Sequence, residues 1–180
     1  MLEQRIQQQF FESADLQYQA AEVLARPLSE AVQAIVGALT AGGKLLVAGQ
    51  GGGAGLARHL AALLVGRMER DRPPLAAACV EAEPRTLQAL GLPGDLLLLV
   101  DPEARDLDAV IAAVRAAQGK DMTVVLLVGT AGAGLRETLA ETDVLITVPH
   151  ERASRVLEAQ LLALHALADA VDLQLMGDQE

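Results

Sequence analysis

The sequence predicts an α/β fold: a three-layer, doubly wound, five-stranded parallel sheet of the flavodoxin-like kind, preceded by a long N-terminal helical arm. Short, uniformly apolar runs recur along the chain, helical stretches separate most of them, and an amphipathic segment without strand character fills residues 1–41. At 180 residues the chain suits a single domain, 1–180, with the arm at 1–41 and the α/β core at 42–180.

In the arm, Ile6, Phe10, Leu16, Ala20, Val23 and Leu24 recur at roughly helical spacing through Met1–Ala25, with Gln and Glu filling the gaps. Pro27 suits the first turn of a second helix, Leu28–Ala41, where its missing N–H costs nothing, and Gly42–Gly43 ends that helix. The expectation is a helical hairpin used in oligomerisation.

Five apolar runs follow: Lys44–Ala48, Leu75–Val80, Leu96–Val100, Thr123–Val128 and Val144–Val148. Each is too short for an independent helix and too uniformly apolar for a half-exposed strand, as expected of parallel strands covered on both faces. Helices are expected at Leu56–Arg67, Leu107–Gln118, Leu135–Glu141 and Glu151–Leu175. Between Glu81 and Gly94 the chain has room only for a shortened crossover.

Ligands in such folds sit beyond the carboxyl ends of the strands. The first of these ends is the loop Gly49–Gln50–Gly51–Gly52–Gly53–Ala54–Gly55, which opens a helix. Glycines there let backbone N–H groups face an anion, where helical donors are unpaired and the helix dipole is positive. The loop nevertheless has no Ser, Thr or Lys to grip a phosphate.

Composition narrows the partners. A formal charge of −10 and 2% aromatics argue against nucleic acid, which needs clustered Lys and Arg and rings for stacking. No apolar run reaches membrane-spanning length and no signal core leads the chain, so a cytoplasmic protein is expected. Cys79, the one cysteine, reads as a small buried strand residue. Helices rich in Ala and Leu offer flat faces for another copy, so a homo-oligomer is expected.

Two leading helices, Gly42–Gly43–Lys44, the glycine loop, His59, Arg72–Pro73, Gly94–Asp95, Met122–Thr123, Val148–Pro149, Arg155 and Glu158 follow one another in an order that resembles the sugar isomerase (SIS) family. The likeness is to the phosphoheptose isomerases and their relatives, the DnaA initiator-associating proteins. It implies a homotetramer that binds phosphosugars and, in the isomerases, converts sedoheptulose 7-phosphate, often with zinc.

The same resemblance shows what this chain lacks. Gln50, Gly53 and Leu56 stand where relatives have Asn, Ser and Asp. After the third strand, a Ser/Thr run that binds phosphate is replaced by Asp101–Pro102–Glu103–Ala104–Arg105–Asp106. Carboxylates have no proton to offer a phosphate, and a unit-charge pair about 4 Å apart costs roughly 4 kcal/mol at an effective dielectric near 20. Asp101 and Asp106 also suit capping of the helix Leu107–Gln118, Asp106 first.

Catalytic positions are thinned as well. His59 and His165 remain from the family's set, while Leu63 and Leu157 fall where a Glu and a Gln would act. Neither leucine can move a proton, and two imidazoles fall short of the ligands a zinc site uses. His150 reads as a helix-start residue. The segment between Val80 and Leu90 is also shorter than in relatives.

The reading is a non-catalytic SIS-fold scaffold or regulatory binding protein with a degenerate site: His59 and His165 as remnants, Gly49–Gly53 as the emptied loop, and Asp101, Glu103 and Asp106 as the replaced one. No cofactor is expected, and zinc only if isomerase activity survives. The expected partners are further copies of itself and a replication initiator, the latter implied by the resemblance. The alternatives are a surviving sedoheptulose 7-phosphate isomerase and, more remotely, a dinucleotide binder, because Gly49, Gly51 and Ala54 match the looser Rossmann fingerprint and Glu81 ends the next strand.

Overall fold

The computed structural model describes residues 1–177; the last three residues of the expected 1–180 domain lie outside the described residues. The elements run α1 (Leu2–Thr40), β1 (Leu45–Gly49), α2 (Gly53–Val65), β2 (Ala77–Cys79), α3 (Pro84–Leu90), β3 (Leu96–Asp101), α4 (Leu107–Gln118), β4 (Thr123–Gly129), a 3-10 helix (Thr130–Thr138), β5 (Val144–Val148) and α5 (Ala153–Met176). All pairings are parallel, in the order β2-β1-β3-β4-β5.

Alternate residues of each strand point to opposite faces, and both faces are covered. Leu45, Val47, Leu96, Leu98, Val125 and Leu127 pack under α1, α2 and α5. Leu46, Ala48, Leu97, Leu99, Val124 and Leu126 pack under α3, α4 and the 3-10 helix. That double burial is why the strands read as continuous apolar runs rather than alternating ones.

The arm differs from expectation. It is one helix, Leu2–Thr40, with Pro27 inside it, not a hairpin. Leu16, Ala20, Leu24, Ala31, Val32 and Ile35 are buried along one face on both sides of the proline, mainly against α5 and β5. A proline inside a helix costs about 3 kcal/mol, and continuous burial of six apolar side chains outweighs it. The first half of α1 still exposes Leu2, Ile6, Phe10, Phe11 and Tyr18, so every aromatic residue of the chain faces outward on this helix.

Two smaller expectations also fail. Cys79 is exposed, because β2 is a three-residue strand at the sheet edge with its outer positions uncovered. The helix expected at Leu135–Glu141 is a 3-10 helix at Thr130–Thr138, and Gly132 within it lies so close to β4 that any Cβ would stand 2.7 Å from that of Val128.

Buried polar groups tie the layers together. Arg72 pairs with Asp172 on α5, both side chains almost fully buried. Its guanidinium also donates to the carbonyls of Leu63, Leu64 and Gly66 at the end of α2, where the helix dipole favours a cation. At the N-terminal end of the sheet, the Asp95 carboxylate accepts from the Lys44 and Leu92 N–H groups and from Lys44 Nζ. Asp143 accepts from Val124 N–H, Ala140 N–H and Gln118 Nε2.

Candidate functional site

The glycine loop lies at the C-terminal end of β1, beside β3, where the chain leaves these two neighbouring strands toward opposite faces, α2 on one and α4 on the other, which is where doubly wound folds place ligands. Gln50 N–H donates to the Val100 carbonyl of β3 at 2.9 Å, closing the loop against the neighbouring strand. Gly51 has φ 51°, a conformation that suits glycine. At Gly53 any Cβ would stand 2.2 Å from the Val100 oxygen, so α2 starts with its backbone pressed on β3.

Facing this loop is 101–106, and its three acids have different tasks. Asp101, buried at the end of β3, accepts from the N–H groups of Glu103 and Ala104 at 3.0 and 2.8 Å. Ala104 is held at φ 49°. Asp106 caps α4 as expected, accepting from Ala109 N–H at 3.0 Å. Glu103 alone turns toward the glycines: a Cβ built on Gly51 would stand 3.3 Å from Glu103 Oε2. Arg105 Nε contacts the same oxygen at 2.7 Å.

The space before Gly52 is also filled. A Cβ there would meet Leu157 Cδ1 of α5 at 2.8 Å and Pro102 at 3.6 Å. What remains is a cavity of about 260 Å³ lined by Gln50, Gly51, Asp101, Glu103, Arg105 and Asp106. A second of similar volume lies on the other side of Gln50, with Glu81 and Glu83 in its wall. Both are acidic.

His59 on α2 and His165 on α5 do come together. Their Nε2 atoms are 2.7 Å apart, with the rings edge to face. Such a contact needs one ring to donate and the other to accept, so at least one imidazole is neutral. Among the described residues, no group of three or more His, Cys, Asp or Glu gathers as a metal site, and this donor set does not fit zinc, which takes three or four protein ligands. Leu63 and Leu157 pack against the apolar core. His150 Nδ1 accepts from Arg152 N–H at the start of α5, the helix-start role expected of it.

Sequence reasoning missed the contact of Glu103 with the glycine loop and the polar clamp at the start of α5. There Arg155, buried, bonds both oxygens of Glu158 and reaches Gln9 Oε1 of α1 at 2.6 Å, while Ser13 donates to Glu158 at 2.7 Å. The signal was available in part, since Arg155 and Glu158 already stood among the residues carrying the resemblance.

Residues 9–92 match the SIS domain family. The chain is 50% identical to the phosphoheptose isomerase of Methylibium petroleiphilum over 197 aligned residues, spanning 100% of this chain and 98% of the relative. It is 38% identical to that of Azoarcus sp., spanning 98% of both. Among solved structures, the phosphoheptose isomerase of Neisseria gonorrhoeae superposes with a TM-score of 0.85 at 30% identity, over 96% of this chain and 99% of the other. The one from Francisella tularensis superposes with 0.87 at 26%, over 96% and 98%. With the parallel sheet, the glycine loop and the paired histidines in place, the chain belongs to the phosphoheptose isomerase family of SIS-domain proteins.

Proposed function

We infer that this chain is a non-catalytic member of its family and acts as an oligomeric scaffold or regulatory binding protein. One observation carries the reading: Leu157 and Pro102 pack over Gly52 and the Glu103 carboxylate faces Gly51, so the space left before the glycine loop is small and walled by acids. Moving a proton between adjacent sugar carbons also needs a positioned base, and Leu63 and Leu157 cannot provide one. The histidines that remain are turned on each other.

Assembly is the other half of the reading. Phe10, Phe11 and Tyr18 are 72%, 68% and 79% exposed, and exposed rings grouped on one helix are unusual for a free monomer. Beside them, α1 and α5 frame an apolar groove of about 350 Å³ lined largely by alanines, among them Ala20, Ala21, Ala25, Ala163 and Ala166. Large side chains on one copy and a groove of small ones on the next are the two parts of a helix-packing contact. The tetramer that the resemblance implies is the assembly we assign, and a replication initiator is the partner type we assign to it, through protein contacts alone given the acidic charge.

The test is turnover of sedoheptulose 7-phosphate at high protein concentration, with and without zinc, on material whose mass has been measured by light scattering. The expected result is a tetramer without turnover that retains initiator protein in a pull-down. Turnover that depends on His165 would instead establish the isomerase reading, which the 50% identity to a phosphoheptose isomerase favours. The dinucleotide reading fails if NAD and NADP produce no thermal shift.

A further inference from the structure

The start of α1 is fastened to the rest of the molecule along one short seam. No residue before Leu16 is buried, and of those first fifteen only Gln9, Glu12 and Ser13 are half-buried. The same three residues reach α5: Gln9 Oε1 accepts from Arg155, Ser13 donates to Glu158, and Glu12 stands 3.5 Å from both Arg152 and Arg155. Phe10 and Phe11, between them in sequence, face outward. The first turn of α1 has no side-chain cap for its orphan N–H groups, so nothing local secures that end of the helix.

The chemistry of the seam suits release. Arg155 is 4% exposed, and its charge is met inside α5 by both oxygens of Glu158, three residues on. The arm adds a neutral amide, a neutral hydroxyl and the longer contact of Glu12, so its departure orphans no buried charge. Arg72–Asp172 is the opposite case, with one buried charge on each of two segments. The seam is also incompletely closed. Gln9 Nε2 and Arg155 Nε are buried without a partner, beside a cavity of about 170 Å³ lined by Gln9, Phe10, Ser13, Arg155 and Glu158, whereas buried polar groups in a finished contact are satisfied. The same turn of α5 carries Leu157, which packs over Gly52. We propose that residues 1–15 form a releasable strap, latched through Gln9 and Ser13 onto the self-neutralised Arg155–Glu158 pair, and that the latch holds Leu157 over the glycine loop. The strap is defined by contacts within one chain and holds for a catalytic or a non-catalytic crevice alike.

Amide hydrogen exchange and NMR on the full chain test this, comparing wild type, the Gln9→Ala, Ser13→Ala double variant and Leu157→Ala at equal assembly by light scattering. Gln9 and Ser13 lie outside the buried core, so their truncation leaves the fold intact. Alanine is the best helix former, so an arm that stands by its own propensity would keep or gain protection in the double variant. The latch instead predicts that amides 5–13 lose protection by at least about tenfold while β1 and β3 exchange as in wild type. It also predicts that the Gly52 amide resonance moves toward its position in Leu157→Ala. Unchanged or slower exchange across 5–13 overturns the strap. Faster exchange there with an unmoved Gly52 resonance overturns its hold on Leu157.

Discussion

The two ends of the sheet treat their carboxylates differently. At the N-terminal end, Asp95 and Asp143 are buried and each accepts from three donors, two of them from distant segments and one from its own turn. At the C-terminal end, Asp101 accepts from two N–H groups of its own loop, and Glu103 meets only an exposed arginine and the glycine loop. A buried acid with full hydrogen bonding organises a fold. An acid at the mouth of a crevice, held by its own turn, contributes little to the fold and much to what the crevice will accept.

The largest effect is expected beside the N-terminal end. Arg72→Ala leaves Asp172 buried and unpaired and frees three carbonyls of α2, so chemical denaturation should show a loss of about 3–5 kcal/mol. A loss below 1 kcal/mol would mean that the pair is not the clamp described. Next, Gly53→Ser places a hydroxyl in the loop, but its Cβ meets the Val100 carbonyl. It should destabilise by about 1–3 kcal/mol, and a neutral outcome would show that the C-terminal end is looser than its glycines imply.

A pH profile sharpens the comparison further. Burial opposes ionisation of Asp95, but the hydrogen bonds from the Lys44 side chain and N–H, that from Leu92 and the Lys44 charge outweigh it, holding its carboxyl below the ordinary value of 3.8. An acid with a depressed native pKa stabilises the fold fully above its unfolded pKa and loses that contribution as pH falls through the native one. Stability should therefore drop as pH falls below about 4, and Asp95→Asn should flatten that part of the curve. The smallest effect belongs to Glu103→Ala, expected within about 0.5 kcal/mol of wild type in stability. A cost matching that of Asp95→Ala would erase the distinction between the two ends.

Much of the fold was legible because its signals are local. The strands stood out as apolar runs bounded by Gly and Asp, and Leu107–Gln118 matched its helix end to end because Asp106 caps it. The continuity of α1 was not legible: Pro27 is a local stop signal, and only contact with α5, far along the chain, overrides it. Cys79 was misplaced because its exposure depends on strand order, which no single strand encodes. The site divided in the same way. The absence of Ser, Thr and Lys from the glycine loop could be read residue by residue, but the meeting of His59 with His165 and the approach of Glu103 to Gly51 are long-range facts that spacing alone does not carry.

The exposed rings of α1 also decide how this molecule can be watched. The chain has no tryptophan and a single tyrosine, and Tyr18 stands in solvent on the arm. Intrinsic emission therefore has one source, placed where copies would meet and remote from the packed interior. Unfolding of the sheet will be almost silent in fluorescence and must be followed by circular dichroism, while dilution of an assembled sample should change the tyrosine signal without any loss of secondary structure.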